Sequence, residues 1–227
     1  MMASQDLINE GCNRAAELFG DEADKISFED GRFYIPGTNY VVTLDDLAAQ
    51  DSSRPFKAAR TNEMHDPVFP NGAAACEVEI DPQTGAISLV RYATVDDVGR
   101  CINPMIVHGQ THGGIAQGVG QAMFESFYVE PDSGQPMSGS FMDYGMPRAS
   151  TMPSFKTEIA EVISPTNPLG IKAGGEGGTT PALAVIVSAV VDALKEYGVT
   201  DIEMPTSPLT IWNAIQAGKK AKQLENA

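Results

Sequence analysis

Residues 172–181 read Lys172-Ala173-Gly174-Gly175-Glu176-Gly177-Gly178-Thr179-Thr180-Pro181, so one acidic side chain stands between two pairs of glycines. Glycine lacks side-chain bulk and accepts crowded backbone conformations, which would let a large flat ligand approach Glu176. The residues that follow, 181–197, are apolar on almost every side, and Gly198 comes directly after them. This pattern predicts a central helix that ends at Gly198, with Glu176 just before its amino end.

The predicted position of Glu176 has two opposite effects on its carboxyl group. A helix amino end favours the ionised form, whereas burial favours the protonated form. A carboxyl group balanced between these effects can act as a general base near neutral pH. The alternative is a glycine-rich turn with a solvated Glu176, and spacing alone favours that alternative. A phosphate-binding loop is not indicated, because no Gly-Lys-Ser/Thr sequence follows the glycines.

Outward from this segment, the hydrophobic patterns predict helices mixed with strands. The predicted helices cover 4–19, 44–49, 110–127, 181–197 and 208–217, with Ser4 and Thr43 as caps and Gly218 closing the last helix. The predicted strands cover 26–28, 33–35, 74–80, 87–95 and 155–163. The expected fold class is therefore α+β, with mixed β-sheets and packed helices. Two subdomains are expected within 1–227, one formed by about 1–70 plus 150–227 and the other by 71–149.

The predicted helix over 110–127 is rich in glycine, which lowers helix stability and implies that another backbone or a ligand comes close to one face. Helix packing and ligand binding fit this spacing equally well. His108 and His112 lie four residues apart, as in some zinc sites, but no third ligand is evident, which argues against a metal role. Trp212 is expected to anchor the core.

Charge and cysteine content argue against several classes of protein. The net charge of −15 and the pI of about 4.4 argue against binding to nucleic acid or to anionic lipid. Three cysteines without a Cys-x-x-Cys pair argue against a disulfide framework, a zinc site or an iron–sulfur cluster in this chain. No stretch has the pattern of a signal peptide or the length of a membrane span, so the cytoplasm is the expected location.

Six segments together resemble, in the same order, the molybdenum-binding large subunit of the xanthine oxidase family. The resemblance is strongest to the large subunit of aerobic carbon monoxide dehydrogenase and to related bacterial aldehyde oxidase-like hydroxylases. The segments are CEVEIDPQTG (76–85), DDVGRCINP (96–104), GQTHGGIAQGVG (109–120), SPTNPLG (164–170), KAGGEGGTTP (172–181) and PTSP (205–208). One departure is Ala173, where the family more often has glycine. The resemblance covers nearly the whole chain.

The resemblance implies a fold, a cofactor and a set of site residues. The chain corresponds to the second of two molybdopterin-binding lobes, between which a molybdenum–molybdopterin cofactor lies, in bacteria usually as the cytosine dinucleotide. The pterin dithiolene holds the metal, so no protein ligand to it is expected. Glu176 falls on the catalytic base of the family, and Gln110 falls on an amide that hydrogen-bonds the cofactor. The resemblance also places five residues in cofactor-lining segments: Asp97, Asn103, Lys172, Gly174 and Gly175.

The implied function is oxidation of a small molecule, namely an aldehyde, an N-heterocycle or carbon monoxide, with oxygen derived from water. The implied partners are the first molybdopterin-binding lobe, as a separate subunit or another segment, an iron–sulfur subunit with [2Fe-2S] clusters and an FAD subunit. The chain alone is expected to be an incomplete half of the active site within a hetero-oligomer. The alternatives are a non-catalytic scaffolding or assembly module with the same fold and, less favoured, a flavin- or nucleotide-binding domain, for which no Gly-x-Gly-x-x-Gly sequence is present.

Overall fold

The structure, a computed structural model, describes residues 1–51, 53–63 and 66–225. The chain forms two compact units, Met1–Glu63 and Met64–Ala227. This division differs from the expected one, because residues 150–227 belong with 71–149 and not with the first 70 residues. The physical reason is strand pairing: residues 155–159 extend the sheet formed by 71–80 and 87–97, and a parallel neighbour of this kind leaves no local signal in the sequence.

The first unit packs a helix on a small antiparallel sheet. Helix α1 (Met2–Phe19) precedes strands β1 (Ser27–Glu29), β2 (Arg32–Tyr34) and β3 (Val41–Thr43), which are paired in that order, and helix α2 (Leu44–Gln50) follows. Its core consists mainly of Ala15, Ile26, Phe33, Val42 and Leu47.

Several local predictions for the first unit are confirmed, one predicted cap is wrong, and one strand was not predicted. The hairpin between β1 and β2 turns at Asp30 and Gly31, both with positive φ, as a two-residue turn requires. Thr43 caps α2, since its side chain accepts a hydrogen bond from the Asp46 N–H at 3.1 Å. Helix α1, however, begins at Met2 without a side-chain cap, so Ser4 is not its cap. Strand β3 was not predicted, because residues 35–40 separate it from β2 and no two-residue turn marks the pairing, as Asp30 and Gly31 do between β1 and β2.

The second unit is built on a mixed sheet. Strands β4 (Asn71–Ile80) and β5 (Ile87–Asp97) are antiparallel, and β6 (Phe155–Ile159) lies parallel to β5. Helices α3 (Pro104–Val119), α4 (Thr179–Ala193) and α5 (Pro208–Glu225) complete the unit. The buried core includes Tyr92, Ile115, Val119, Ile186, Ile211 and Ile215. Sheets of both kinds with packed helices confirm the predicted α+β class.

Helix α3 begins six residues earlier than predicted. Asn103 caps it, its Oδ1 accepting from the Ile106 N–H at 3.2 Å, and Pro104 takes the first turn, where no N–H is needed. The helix ends at Val119 and continues as a π-helical turn, Gly120–Phe124. Gly114 lies on its packed face: a Cβ on Gly114 would come within 2.9 Å of the Thr179 nitrogen. Helix packing therefore explains this glycine, whereas Gly113 has no heavy atom within 4 Å of its Cβ position.

The last helix differs from the prediction in its length and in the position of its tryptophan. Helix α5 continues through Gly218, where a Cβ would lie 2.0 Å from the Tyr197 carbonyl oxygen, so this glycine permits close packing and does not end the helix. Trp212 is 39% exposed, and the fully buried residues of α5 are Ile211 and Ile215. The expectation that Trp212 anchors the core is therefore wrong, because it lies one position outside the buried face.

No helix of the described ranges is both long enough and apolar enough to cross a membrane.

Candidate active site

Residues 172–178, called here the glutamate loop, lead directly into α4. The carbonyl oxygen of Glu176 accepts hydrogen bonds from the main-chain N–H of Thr179 and Thr180 at 3.1 and 3.2 Å and from the Thr180 hydroxyl at 3.2 Å. These bonds hold Glu176 at the amino end of α4, as the sequence predicted. The side chain itself is exposed in this chain. The burial expected to act on its carboxyl group is therefore not provided by the described residues.

The start of the glutamate loop is fixed by a buried ion pair. Lys172 donates from Nζ to Oδ2 of Asp97, and the two side chains are only 10% and 9% exposed. The other oxygen of Asp97, Oδ1, accepts the main-chain N–H of Gly99 at 2.9 Å and of Val162 at 3.1 Å. One carboxylate thus joins the end of β5, the segment after β6 and the glutamate loop.

The pKa of Asp97 reflects these contacts. Burial acts to raise the pKa of this carboxyl group, but the hydrogen bond from Lys172, the two main-chain N–H groups and the lysine charge outweigh burial and lower it below the ordinary value. Asp97 is accordingly an ionised structural group whose oxygens already have protein donors. The family resemblance placed Asp97 and Lys172 in cofactor-lining segments, and the structure pairs their side chains with each other.

Two main-chain hydrogen bonds reinforce the same junction. Lys172 N–H donates to the Val98 carbonyl at 2.8 Å, and Arg100 N–H donates to the Gly170 carbonyl at 2.9 Å. Gly99 has φ 65°, and a Cβ on it would lie 2.3 Å from the Gly170 oxygen. The two backbones are therefore too close for any residue but glycine at position 99. These contacts fix the position at which the glutamate loop begins.

Helix α3 contacts the far end of the glutamate loop. A Cβ on Gly178 would lie 2.3 Å from the Thr111 carbonyl oxygen and 2.9 Å from the Ile115 nitrogen. This backbone-to-backbone contact brings the turn of α3 that carries Gln110 next to the loop that carries Glu176. Gln110 itself is exposed.

A cavity of about 580 Å³ lies along the glutamate loop. Its walls include Glu176 together with Gly175 and Gly177 from the loop, Asp96 from β5, and the segment that begins β4. No heavy atom lies within 4 Å of the Cβ position of Gly175. A ligand in the cavity can therefore reach the loop backbone on both sides of Glu176.

Besides Glu176, three residues of the glutamate loop line the cavity, namely Ala173, Gly175 and Gly177. Among the described residues, none of the N–H groups of 173–178 donates a hydrogen bond to another part of the chain. Consecutive free N–H groups before a helix form a site for electron-rich oxygen or nitrogen atoms. The carboxylate of Glu176 likewise has no hydrogen-bond or ion-pair partner in the described part of the chain.

Asp96 is a cavity residue that the sequence did not single out. It follows Tyr92 and Thr94 on the helix-facing side of β5, whereas Asp97 points to the opposite face. Asp96 is 6% exposed, and among the described residues its oxygens accept only from the hydroxyls of Thr94 at 3.3 Å and Thr111 at 3.4 Å. Strand alternation alone would have separated the roles of the two aspartates, since β5 was correctly predicted almost to this point.

The two histidines of α3 contact one hydroxyl group on β6. His108 Nδ1 and His112 Nε2 both contact the Thr157 hydroxyl, at 2.8 and 3.2 Å. Within the described ranges, no group of three or more His, Cys, Asp or Glu side chains is arranged to hold a metal ion. The two histidines join α3 to β6.

The chain's relationship to known protein families follows from sequence comparison. The sequence model of the molybdopterin cofactor-binding domain matches residues 1–153. The chain belongs to this family. The resemblance predicted from the ordered motifs is thereby confirmed.

Similar proteins extend the match over most of the chain. The gamma subunit of the 6-hydroxypseudooxynicotine dehydrogenase complex of Paenarthrobacter nicotinovorans is 36% identical in an alignment of 221 residues that covers 92% of this chain and 27% of that protein. The nicotine 6-hydroxylase large subunit of the same organism is 38% identical over 86% of this chain and 25% of its own length. The carbon monoxide dehydrogenase large chain of Hydrogenophaga pseudoflava is 30% identical over 89% of this chain and 26% of its own length. The chain thus spans about a quarter of the curated relatives it matches.

Solved structures agree with the fold. Quinoline 2-oxidoreductase from Pseudomonas putida 86 superposes with a TM-score of 0.81 at 33% identity, covering 95% of this chain and 29% of that one. A Cu,Mo-carbon monoxide dehydrogenase in the carbon monoxide-reduced state gives a TM-score of 0.83 at 26% identity, covering 96% of this chain and 28% of that one.

Proposed function

We propose that this chain is one half of the active site of a molybdenum hydroxylase, with Glu176 as general base. The observation that carries the proposal is the unpartnered carboxylate of Glu176 on a cavity wall, beside main-chain N–H groups that the described chain leaves free. The main chain of Glu176 is fixed at the amino end of α4 by the hydrogen bonds that its carbonyl oxygen accepts. A carboxylate held in this way is suited to take up a proton repeatedly from one place.

The residues around the cavity fit a molybdopterin cofactor. Its pterin and phosphate groups offer many hydrogen-bond acceptors, and free N–H groups with glycines on either side can approach a flat ring closely. Gly174 and Gly175 would hold it through their backbone, and Gln110 would do so through its amide. Asp97, Asn103 and Lys172 remain proposed members of the cofactor-lining segments. When bound, the cofactor supplies the two-electron redox chemistry, and in the proposed enzyme it is the cytosine dinucleotide form.

The chain's own contribution to the reaction would be proton transfer and positioning. Glu176 would accept a proton on a carboxylate oxygen from the water-derived nucleophile that attacks the substrate carbon. The glycines on both sides leave room for the substrate next to this oxygen. A part of the protein that covers the cavity would exclude water, and this would provide the burial that the present chain does not give to Glu176.

The proposed substrates are small molecules of three classes: N-heterocycles, aldehydes and carbon monoxide. N-heterocycles are tested first, because relatives named for nicotine and quinoline are 38% and 33% identical to this chain. The proposed partners are the first molybdopterin-binding lobe, an iron–sulfur subunit with [2Fe-2S] clusters and an FAD subunit. The proposed location is the cytoplasm.

The test is co-expression with the chain that supplies the first lobe, followed by measurement of bound molybdenum and of turnover. Glu176→Gln should lower kcat by about 10²- to 10⁴-fold, since a general base contributes roughly that much. Glu203→Gln changes an exposed glutamate elsewhere in the same unit and should leave kcat unchanged. A complex without molybdenum would contradict the enzyme and favour the assembly module, whereas wild-type turnover by Glu176→Gln would contradict the base alone.

A further inference from the structure

Asp96 and Asp97 are neighbours in the chain, but only one of them faces the cavity. We propose that Asp96 is a ligand-binding residue, accepting a hydrogen bond from an N–H or O–H group of the molecule bound beside Glu176, whereas Asp97 only positions the glutamate loop. The inference rests on the proposed function, because it concerns the same cavity. It reassigns the cofactor-side carboxylate of the segment DDVGRCINP by one position.

The first argument is the number of donors around each carboxylate. An ionised carboxylate has about four acceptor positions. Asp97 uses them for a lysine and two main-chain N–H groups. Within the described ranges Asp96 has only two donors, both neutral hydroxyls, at 3.3 and 3.4 Å, near the long limit for an O–H···O hydrogen bond. In the part of the chain that the structure describes, no lysine, arginine or histidine forms an ion pair with it.

The second argument is burial combined with access. Asp96 is 6% exposed, and a carboxylate so far from water needs further donors to remain stable. Asp96 is reached from the cavity, whose wall it shares with Glu176. A bound molecule is therefore the available source of the missing donor.

The third argument is the pair of glycines beside Oδ1 of Asp96. A Cβ on Gly72, at the start of β4, would lie 3.0 Å from this oxygen, and a Cβ on Gly177 would lie 3.5 Å from it. Two segments distant in sequence therefore lack side chains beside Oδ1 of Asp96. This arrangement keeps Oδ1 accessible to a ligand approaching along the glutamate loop.

The experiment compares Asp96→Asn, Asp97→Asn and Gly177→Ala in the complete complex. Asp96→Asn keeps the size of the side chain and weakens the acceptor, and Gly177→Ala adds a methyl group at an ordinary contact distance from Oδ1. Both should weaken ligand binding about tenfold, the usual result of losing one hydrogen bond to a charged group. If the donor belongs to the cofactor, molybdenum retained after dialysis falls; if it belongs to the substrate, KM rises about tenfold with full molybdenum content.

Unfolding measurements on the 227-residue chain distinguish a variant that weakens ligand binding from one that destabilises the fold. The single tryptophan, Trp212, lies in the second unit and reports on it by fluorescence. Asp96→Asn should unfold at nearly the wild-type urea concentration, whereas Asp97→Asn should unfold earlier. The inference is overturned if Asp96→Asn has wild-type KM and molybdenum content, or if it destabilises the unit as much as Asp97→Asn. Loss of molybdenum from the wild-type complex would instead overturn the proposed function and, with it, this inference.

Discussion

The carboxyl end of β5 has two sides that differ in what their polar groups contact. On the closed side, Asp97 binds Lys172, Gly99 and Val162, and each of its oxygens has a protein donor. On the cavity side, Asp96 and Glu176 line the cavity. The N–H groups of the glutamate loop after Lys172 have no hydrogen-bond acceptor within the described residues.

This difference shows that one short segment can fix the glutamate loop through Asp97 and also contribute a side chain, Asp96, to the cavity wall. The closed side fixes the loop by satisfied, buried interactions, which are rigid because breaking any of them leaves a charge without a partner. The cavity side keeps groups whose hydrogen-bonding capacity the described residues do not fill, so these groups are available to a ligand. The following predictions ask whether the two sides can be altered separately.

The largest effect is expected from breaking the closed side. Lys172→Met removes the cation beside Asp97 and should lower the free energy of unfolding by about 3 kcal/mol, the low end for a broken buried pair, because both side chains retain some exposure. Trp212 fluorescence in urea measures the change. Lys156→Met is the matched control, since its ion pair with Glu158 spans 3.8 Å between exposed side chains and should contribute less than about 1 kcal/mol. Equal midpoints for the two variants would contradict the assigned role of the closed side.

An intermediate effect is expected where the glutamate loop meets α3. Gly178→Ala places a Cβ 2.3 Å from the Thr111 carbonyl oxygen, so the two backbones must separate, which costs about 1–3 kcal/mol. Gly175→Ala, in the same loop, meets no atom within 4 Å and should change the stability of the free chain by no more than about 0.5 kcal/mol. Thermal unfolding of both variants measures the difference. If Gly175→Ala were the more destabilising of the two, the described contact with α3 would be incorrect.

The sequence allowed the element types and the glutamate loop to be predicted, because these depend on local patterns. The helix after Thr179, the β4–β5 hairpin and the cap at Thr43 all follow from residues close together in the chain. The parallel pairing of β6 with β5 could not be predicted, since nothing within either strand specifies a partner about sixty residues away. The resemblance identified the aspartate segment, and the alternation of side chains along β5 distinguishes Asp96 from Asp97.

The smallest effect is expected on the open face of α3, and it has opposite signs in the free chain and in the assembled enzyme. Gly113 lies three residues after Gln110 on an exposed helix surface, with nothing within 4 Å of its Cβ position. Gly113→Ala should therefore stabilise the free chain by up to about 1 kcal/mol, the helix-propensity difference between the two residues. Gly114→Ala, on the packed face, should destabilise it, because its Cβ would lie 2.9 Å from the Thr179 nitrogen.

In the assembled enzyme the same methyl group at position 113 would stand beside the proposed cofactor amide, Gln110. If the cofactor covers this face, Gly113→Ala should reduce retained molybdenum even though the chain itself is more stable. Retained molybdenum at the wild-type level would limit the cofactor to the glutamate loop side, where the free N–H groups lie. The open face of α3 would then be assigned to contact with another part of the protein, since an exposed mid-helix glycine without a close neighbour lowers helix stability and has no compensating role inside this chain.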